Sequence, residues 1–441
     1  MPNQPKPWWR EVTRGQWAAF SAAWLGWVLD AFDFTIYLLV MKHIAAEFHV
    51  GIAAVSGSIT LTLLVRLLGG GVAGWMADRW GRKLPLMLSL VWFAIFDSAI
   101  FFAPSFVWIL VLRTLFGFGM GAEWTAGTAL AMESFPPRGR KFASGLLQAG
   151  WPVGFLLAAL TAYFVVPALG WRAMFLIAAV PALLVIPIRM MVPAELSRGE
   201  ITAHKATLAD LAEPKVVKMM ILGSLVMALG FIVYYGLTAH YTLLQLTELG
   251  LDERSAFVNV IIFNSGMLVG VVLAGIVANR YGVIAALVIP ALLMVPALPL
   301  FVGAVPQLIG LGAFLGGMLG VGYSGVTPVL TTSLFPAHVR ARAIGIVYHA
   351  GALIAAFVPW GIPQLSAATG MKLSTTIGVV VGAGLVLMAS AVLVLRRQLT
   401  LPADALVETS PAVATTDAIA LPSAVVVTQG LKLDARVQLD A

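Results

Sequence analysis

The sequence predicts an all-α membrane protein: twelve transmembrane helices in two six-helix bundles, with both termini cytoplasmic. Three observations carry that prediction. Of 441 residues, 60% are hydrophobic and only 11% charged, against roughly 25% charged in a soluble domain, so most of the surface must face lipid. The apolar residues gather in runs long enough to cross about 30 Å of hydrocarbon. Lys and Arg are sorted to one side of those runs.

The runs fall at about 17–41, 54–76, 84–103, 106–131, 142–166, 170–191, 218–240, 255–278, 283–303, 306–331, 343–364 and 373–395. The first is no cleaved signal peptide, because it is too long, contains Asp30 and Asp33 and lacks a small-residue cleavage site. The second carries Arg66, the third Asp97 and the fourth Arg113 and Glu123. Between the sixth and seventh lies a polar stretch, 192–217, which reads as a cytoplasmic linker. It divides the chain into an N-terminal bundle, 1–191, and a C-terminal bundle, 218–396. Beyond 397 the composition turns to Ala, Val, Thr, Pro and Asp without helical period, which predicts a loosely ordered cytoplasmic tail over 397–441.

With the N-terminus inside, the outer segments hold only Lys42, Arg172, Arg254 and Lys372, and twenty-one of the 27 Lys and Arg lie on the inner side. The net charge of +7 therefore marks topology, and no nucleic acid partner is implied. The absence of cysteine rules out thiol catalysis and disulfides, and six scattered His imply no metal and no cofactor. No Ser has a His and Asp cluster around it, so the chain does not read as an enzyme.

The two halves repeat. Gly74, Asp78, Arg79 and Gly81 recur 201 residues later as Gly275, Asn279, Arg280 and Gly282; Phe135, Pro136, Arg140 and Gly145 recur 200 residues later as Phe335, Pro336, Arg340 and Gly345. Two matches at nearly one offset indicate a duplicated six-helix unit, an architecture that places substrate at the midplane between the halves.

Gly74, Asp78, Arg79, Gly81 and Arg82 form a loop that resembles the signature of the major facilitator superfamily between its second and third helices. Glycines allow the tight turn, and Asp78 at a helix end can bond a neighbouring helix's amides and the loop arginines. The loop therefore reads as a cytoplasmic latch, with Asn279 and Arg280 as its weaker counterpart. Arg113, Gly117, Gly119 and Gly121 give the fourth helix a thin face for close packing. Within the superfamily the N-terminal half resembles the sialate:proton symporter family, which includes lactate-type members. The residues are Leu29 to Phe34, Arg66, Gly119 to Trp124, and Gly170, Trp171 and Arg172. Ala31 and Trp124 depart from the familiar sialate pattern, and Trp124 is closer to the lactate-type members. Aromatic acid:proton symporters share the paired aspartates. An exporter of the same fold is the other alternative, and Gly150, Pro152 and Gly154 match its glycine motif only in part.

Ionisable residues inside the membrane are expensive, at least about 2.5 kcal/mol each against lipid, so each should face a cavity or a partner. Asp30 and Asp33, three apart on one helix face, and Glu123 are the candidate proton carriers. Arg66 is the fixed cation suited to a substrate carboxylate; Arg113, where the resemblance implies nearby proton coupling, is grouped with it. Asp97 reads as a structural carboxylate. The second half has no acid at mid-membrane, and Tyr234, Tyr323, Tyr348 and His349 are its candidate substrate ligands. The expected function is proton-coupled uptake of a small organic anion, lactate, pyruvate or sialate in kind, by a monomer in the bacterial inner membrane. Its partners are the anion, protons and the lipid bilayer.

Overall fold

The computed structural model describes residues 11–80, 83–133, 135, 140–179, 208–336 and 339–398. Twelve helical spans follow in order: α1 (Arg14–Glu47), α2 (Ile52–Trp80), α3 (Lys83–Ser98), α4 (Phe106–Glu133), α5 (Arg140–Leu169), α6 (173–179 as far as it is described), α7 (Pro214–Thr238, resuming as Tyr241–Thr247), α8 (Glu253–Tyr281), α9 (Val283–Phe301), α10 (Ile309–Gly320, resuming as Thr327–Ser333), α11 (Arg340–Ala355, resuming as Val358–Thr369) and α12 (Leu373–Gln398). Most of the linker expected over 192–217 lies outside the described residues; its end holds one helical turn, Leu208–Leu211, and the start of α7. The expected tail lies outside them except for its first two residues, which complete α12.

Local chemistry sets where several helices begin. Thr13 and Gln16 form a reciprocal capping box at α1, each side chain bonding the other's backbone N–H. Asp252 caps α8 by accepting from the Ser255 N–H and hydroxyl, which hold its carboxyl below the usual carboxylate range. Gly282 turns the chain from α8 into α9 at φ +88°, a conformation that favours glycine.

The sequence runs gave no sign of three interruptions. α7 breaks at Ala239 and His240, α10 passes through a 3-10 segment, Gly322–Val326, and α11 breaks at Ala356 and Phe357. In α10 a cluster of glycines precedes Pro328, and in α11 Pro359 follows the break; neither proline has an N–H to continue the ladder. Broken backbone at membrane depth is tolerated where it is buried in protein or lines a cavity, and Tyr323 lies in the α10 break.

Two kinds of face sort the helices. α1 is apolar all round and buried continuously from Gly26 to Met41, as a central helix must be. The outer faces of α3, α9 and α12 expose Ile95, Leu293 and Leu387 among other large apolar side chains, which suits contact with lipid.

The duplication extends to backbone contacts. A Cβ on Gly69 would fall on the Phe118 carbonyl and one on Gly117 on the Thr62 carbonyl, so α2 and α4 touch backbone to backbone. The same contacts recur 200 and 201 residues on, Gly270 against Met318 and Gly317 against Phe263, between α8 and α10. Gly154 meets the Val28 carbonyl in the same way, seating α5 on α1.

Arg172, just before α6, fixes the outer end of the first bundle. It donates to Glu47 Oε1 at 2.7 Å and to the carbonyls of Phe101 (2.7 Å) and Ala103 (2.9 Å), while Trp171 Nε1 donates to Glu47 Oε2 at 2.7 Å. Removing Arg172 orphans two backbone acceptors that end α3. Arg172→Ala should therefore lower stability by about 2 kcal/mol, more than Glu47→Gln, read as the thermal midpoint of the detergent-purified protein.

Candidate functional site

The two bundles meet along two separate seams. In one, α2 packs on α11; in the other, α5 packs on α8 and α10. On the outer side His43 Nε2 lies 3.1 Å from Glu253 Oε1 and Ser56 Oγ 3.2 Å from His240 Nε2. Nearer the inner side Ser144 Oγ donates to the Gly325 carbonyl at 3.3 Å. Between the seams lies a cavity of about 60 Å³, whose polar wall includes Arg66, Gln148, Tyr234, Tyr323, Ser324 and Tyr348.

Arg66 is the charged group of that wall. It is buried at the middle of α2, and its Nη2 donates to Tyr348 OH at 3.3 Å, with the guanidinium 5.4 Å from the ring centre. Asp30 is within Coulombic reach of Arg66, Tyr235 and Tyr348. Tyr234 OH accepts from Trp151 Nε1 at 2.5 Å, and Tyr323 OH donates to the Gly230 carbonyl at 2.5 Å. Trp27 and Trp151 from the first bundle, with ring centres 4.6 Å apart, face Phe231, Tyr234 and Tyr235 from the second.

Asp33 lies within Coulombic reach of Asp30 but has a second set of neighbours. It interacts electrostatically with Asp97 and Arg113; Arg113 Nη1 lies 3.4 Å from Asp97 Oδ1, and Nη2 donates to the Asp33 carbonyl at 3.4 Å. The Arg113 guanidinium also sits 4.3 Å from the Tyr37 ring centre and 4.9 Å from that of Phe116. Arg113 is thus enclosed by protein and is not part of the cavity wall where Arg66 stands. The two aspartates thus act on each other, while Asp30 reaches Arg66 and Asp33 reaches Arg113.

Glu123 accepts from Ser89 Oγ at 3.1 Å, bridging α3 and α4, and it too lies off the cavity wall. His349 stands edge-on to Tyr348 and packs on Gly70, where a Cβ would come within 2.6 Å of imidazole Cε1. At the inner end, Arg79 lies over the rings of Trp75 (6.0 Å) and Trp80 (5.6 Å), and Arg280 over Tyr281 (5.4 Å); Asn279 is exposed. Gly74 lies within α2, whereas the side chain of Asp78 and residues Gly81 and Arg82 fall outside the described part of the latch.

Gln148, Ser324 and Thr327 line the cavity as well, beyond the residues that charge or aromaticity marks in the sequence. The repeat is the signal that points to Gln148, since it stands 200 residues before Tyr348, and both line the cavity. By the same offsets Arg66 corresponds to Met267 and Glu123 to Tyr323, so ionisable residues of one half are replaced by neutral ones in the other.

Two six-helix bundles of one duplicated design, meeting around a midplane cavity with a buried guanidinium, define a multi-pass membrane transporter. The chain belongs to the major facilitator superfamily, whose family model matches residues 23–359. It is 29% identical over 385 residues to a probable 4-methylmuconolactone transporter of Cupriavidus pinatubonensis, covering 82% of this chain and 87% of that one. It is 27% identical over 388 residues to the sialic acid transporter NanX of Escherichia coli, covering 85% and 93%. Its fold matches the solved structure of the proton:xylose symporter XylE with TM-score 0.72 at 18% identity, over 87% of this chain and 95% of that one.

Proposed function

We propose that the protein takes up a small organic anion together with protons, as a monomer in the bacterial inner membrane, by rocking its two bundles around the central cavity. The observation that carries this reading is Arg66, a buried guanidinium at the cavity wall with Asp30 as its electrostatic partner. A carboxylate entering the cavity competes with Asp30 for the guanidinium. An aspartate deprived of its counter-charge in a low-dielectric interior costs several kcal/mol, so its release is compensated by a proton. Anion and proton then enter together and the charge of the site is conserved through the cycle. Asp33, Asp97 and Arg113 bring two carboxylates to one guanidinium, leaving a place for one more positive charge, which a proton supplies. Glu123, nearer the inner end of α4, is a further carrier, and the α2–α3 loop latches the inner side. The carboxylic acid carried by the relative named a sialic acid transporter supports an anionic cargo.

The test uses protein reconstituted in liposomes with an inward proton gradient and an internal pH dye, given lactate, pyruvate, sialate and 4-hydroxybenzoate in turn. Internal acidification with one of them is the expected result. Asp33→Asn should abolish gradient-driven accumulation while retaining exchange of labelled for unlabelled anion. Silence with all four in folded protein would overturn the reading.

A further inference from the structure

Both ends of the cavity carry polar groups, but of different kinds. At the α2–α11 seam stand Arg66 and Tyr348. At the α5–α10 seam stand Gln148 and Ser324. α2 packs on α4 and α5 on α1, so within each bundle these helices occupy different sides and the two seams flank the cavity.

Gln148 is 93% buried, with 7% of its surface exposed. Its Nε2 donates to the Ser324 carbonyl at 3.2 Å. That carbonyl also accepts from the Thr327 N–H and, at 2.8 Å, from the Thr327 hydroxyl. A carbonyl can only accept, so the amide must present its nitrogen there, and the orientation of Gln148 follows from the bond. Its Oε1 is left in the cavity wall without a hydrogen-bond partner among the described residues, and so is the hydroxyl of Ser324. Two unsatisfied buried polar atoms on facing helices ask for a ligand that can donate. Between the two ends the walls are aromatic: Trp27 and Trp151 on one side, Phe231, Tyr234 and Tyr235 on the other. Flat faces favour a flat apolar body, and they offer few partners to a polyhydroxylated one.

Resting on the carboxylate reading above, we propose that Gln148 and Ser324 form a hydroxyl-recognition subsite, and that the cargo is an aromatic acid with its carboxylate and a ring hydroxyl at opposite ends. The carboxylate is held by Arg66 and Tyr348, the ring packs on the aromatic lining beside the Trp151–Tyr234 hydrogen bond that joins its two sides, and the hydroxyl donates to Gln148 Oε1. A 2-hydroxy acid such as lactate has its hydroxyl beside its carboxylate and cannot reach both ends. The assignment of Gln148 as a specificity residue makes the unpaired oxygen, rather than the charge, the feature that separates related acids.

The experiment measures uptake of benzoate, 4-hydroxybenzoate, lactate and sialate by the reconstituted full chain and compares KM values. In the wild type, 4-hydroxybenzoate should have a KM on the order of tenfold below that of benzoate, one hydrogen bond's worth. Gln148→Leu should bring the ratio of the two close to one, whereas Gln148→Glu, which keeps an acceptor, should retain more of it. Ser324→Ala reads the same ratio if Gln148→Leu does not fold. A ratio unchanged in these variants, or preferred uptake of sialate or lactate by the wild type, would overturn the subsite while leaving carboxylate symport standing. No uptake of any of the four would remove both.

Discussion

Arg66→Ala is expected to reduce carboxylate uptake by a factor on the order of 10²–10³, because truncating one member of a buried, hydrogen-bonded charge pair costs about 2–5 kcal/mol. Two losses add up in that variant. The substrate carboxylate loses the cation at the cavity wall, and Asp30 loses its electrostatic partner in a dry interior. They are separable. Arg66→Ala combined with Asp30→Asn relieves the orphaned aspartate and should recover thermal stability without recovering uptake. Arg66→Lys keeps the charge but loses the planar fork, so it should raise KM while leaving measurable transport. Uptake that survived in folded Arg66→Ala would remove the guanidinium from the substrate site.

Gly121→Ala is expected to be strongly disruptive for a single added methyl group in the first bundle. Its Cβ would fall on the Arg66 carbonyl and the Gly70 N–H and lie 2.9 Å from the Gly69 carbonyl carbon, all of them backbone atoms that cannot rotate away. The helices must part, and overpacking of this kind costs about 1–3 kcal/mol or more. The thermal midpoint should fall by several degrees. Because the displaced stretch of α2 carries Arg66, KM should rise in whatever protein remains folded. Gly71→Ala supplies the control: nothing lies within 4 Å of a Cβ there, so the substitution should leave the midpoint unchanged or slightly raised.

Most of this architecture was legible in the sequence because the bilayer imposes it. A span needs about twenty apolar residues, and each run coincides with a helix among the described residues, the sixth only as far as residue 179. Gly117 and Gly121 were legible as a thin face because only glycine allows backbones to touch. Arg66 was legible because a fixed charge at mid-membrane has few reasons to exist. The division of Asp30 and Asp33 between Arg66 and Arg113 was not, since it depends on how α1 is rotated against α2 and α4, which periodicity leaves undetermined. Gln148 was overlooked because one neutral amide among apolar neighbours carries no charge penalty to draw attention. Its meaning comes from Ser324 on another helix, whose carbonyl accepts from its amide in the same cavity wall.

Six buried ionisable residues, Asp30, Asp33, Arg66, Asp97, Arg113 and Glu123, all belong to the first of two copies of one ancestral unit. The second copy furnishes neutral phenols, a serine and aromatic faces to the same chamber. Descent by duplication has thus left the ionisable groups in one copy, while both copies supply the chamber wall. A substitution in the second copy can therefore reshape that wall without touching any of those six groups.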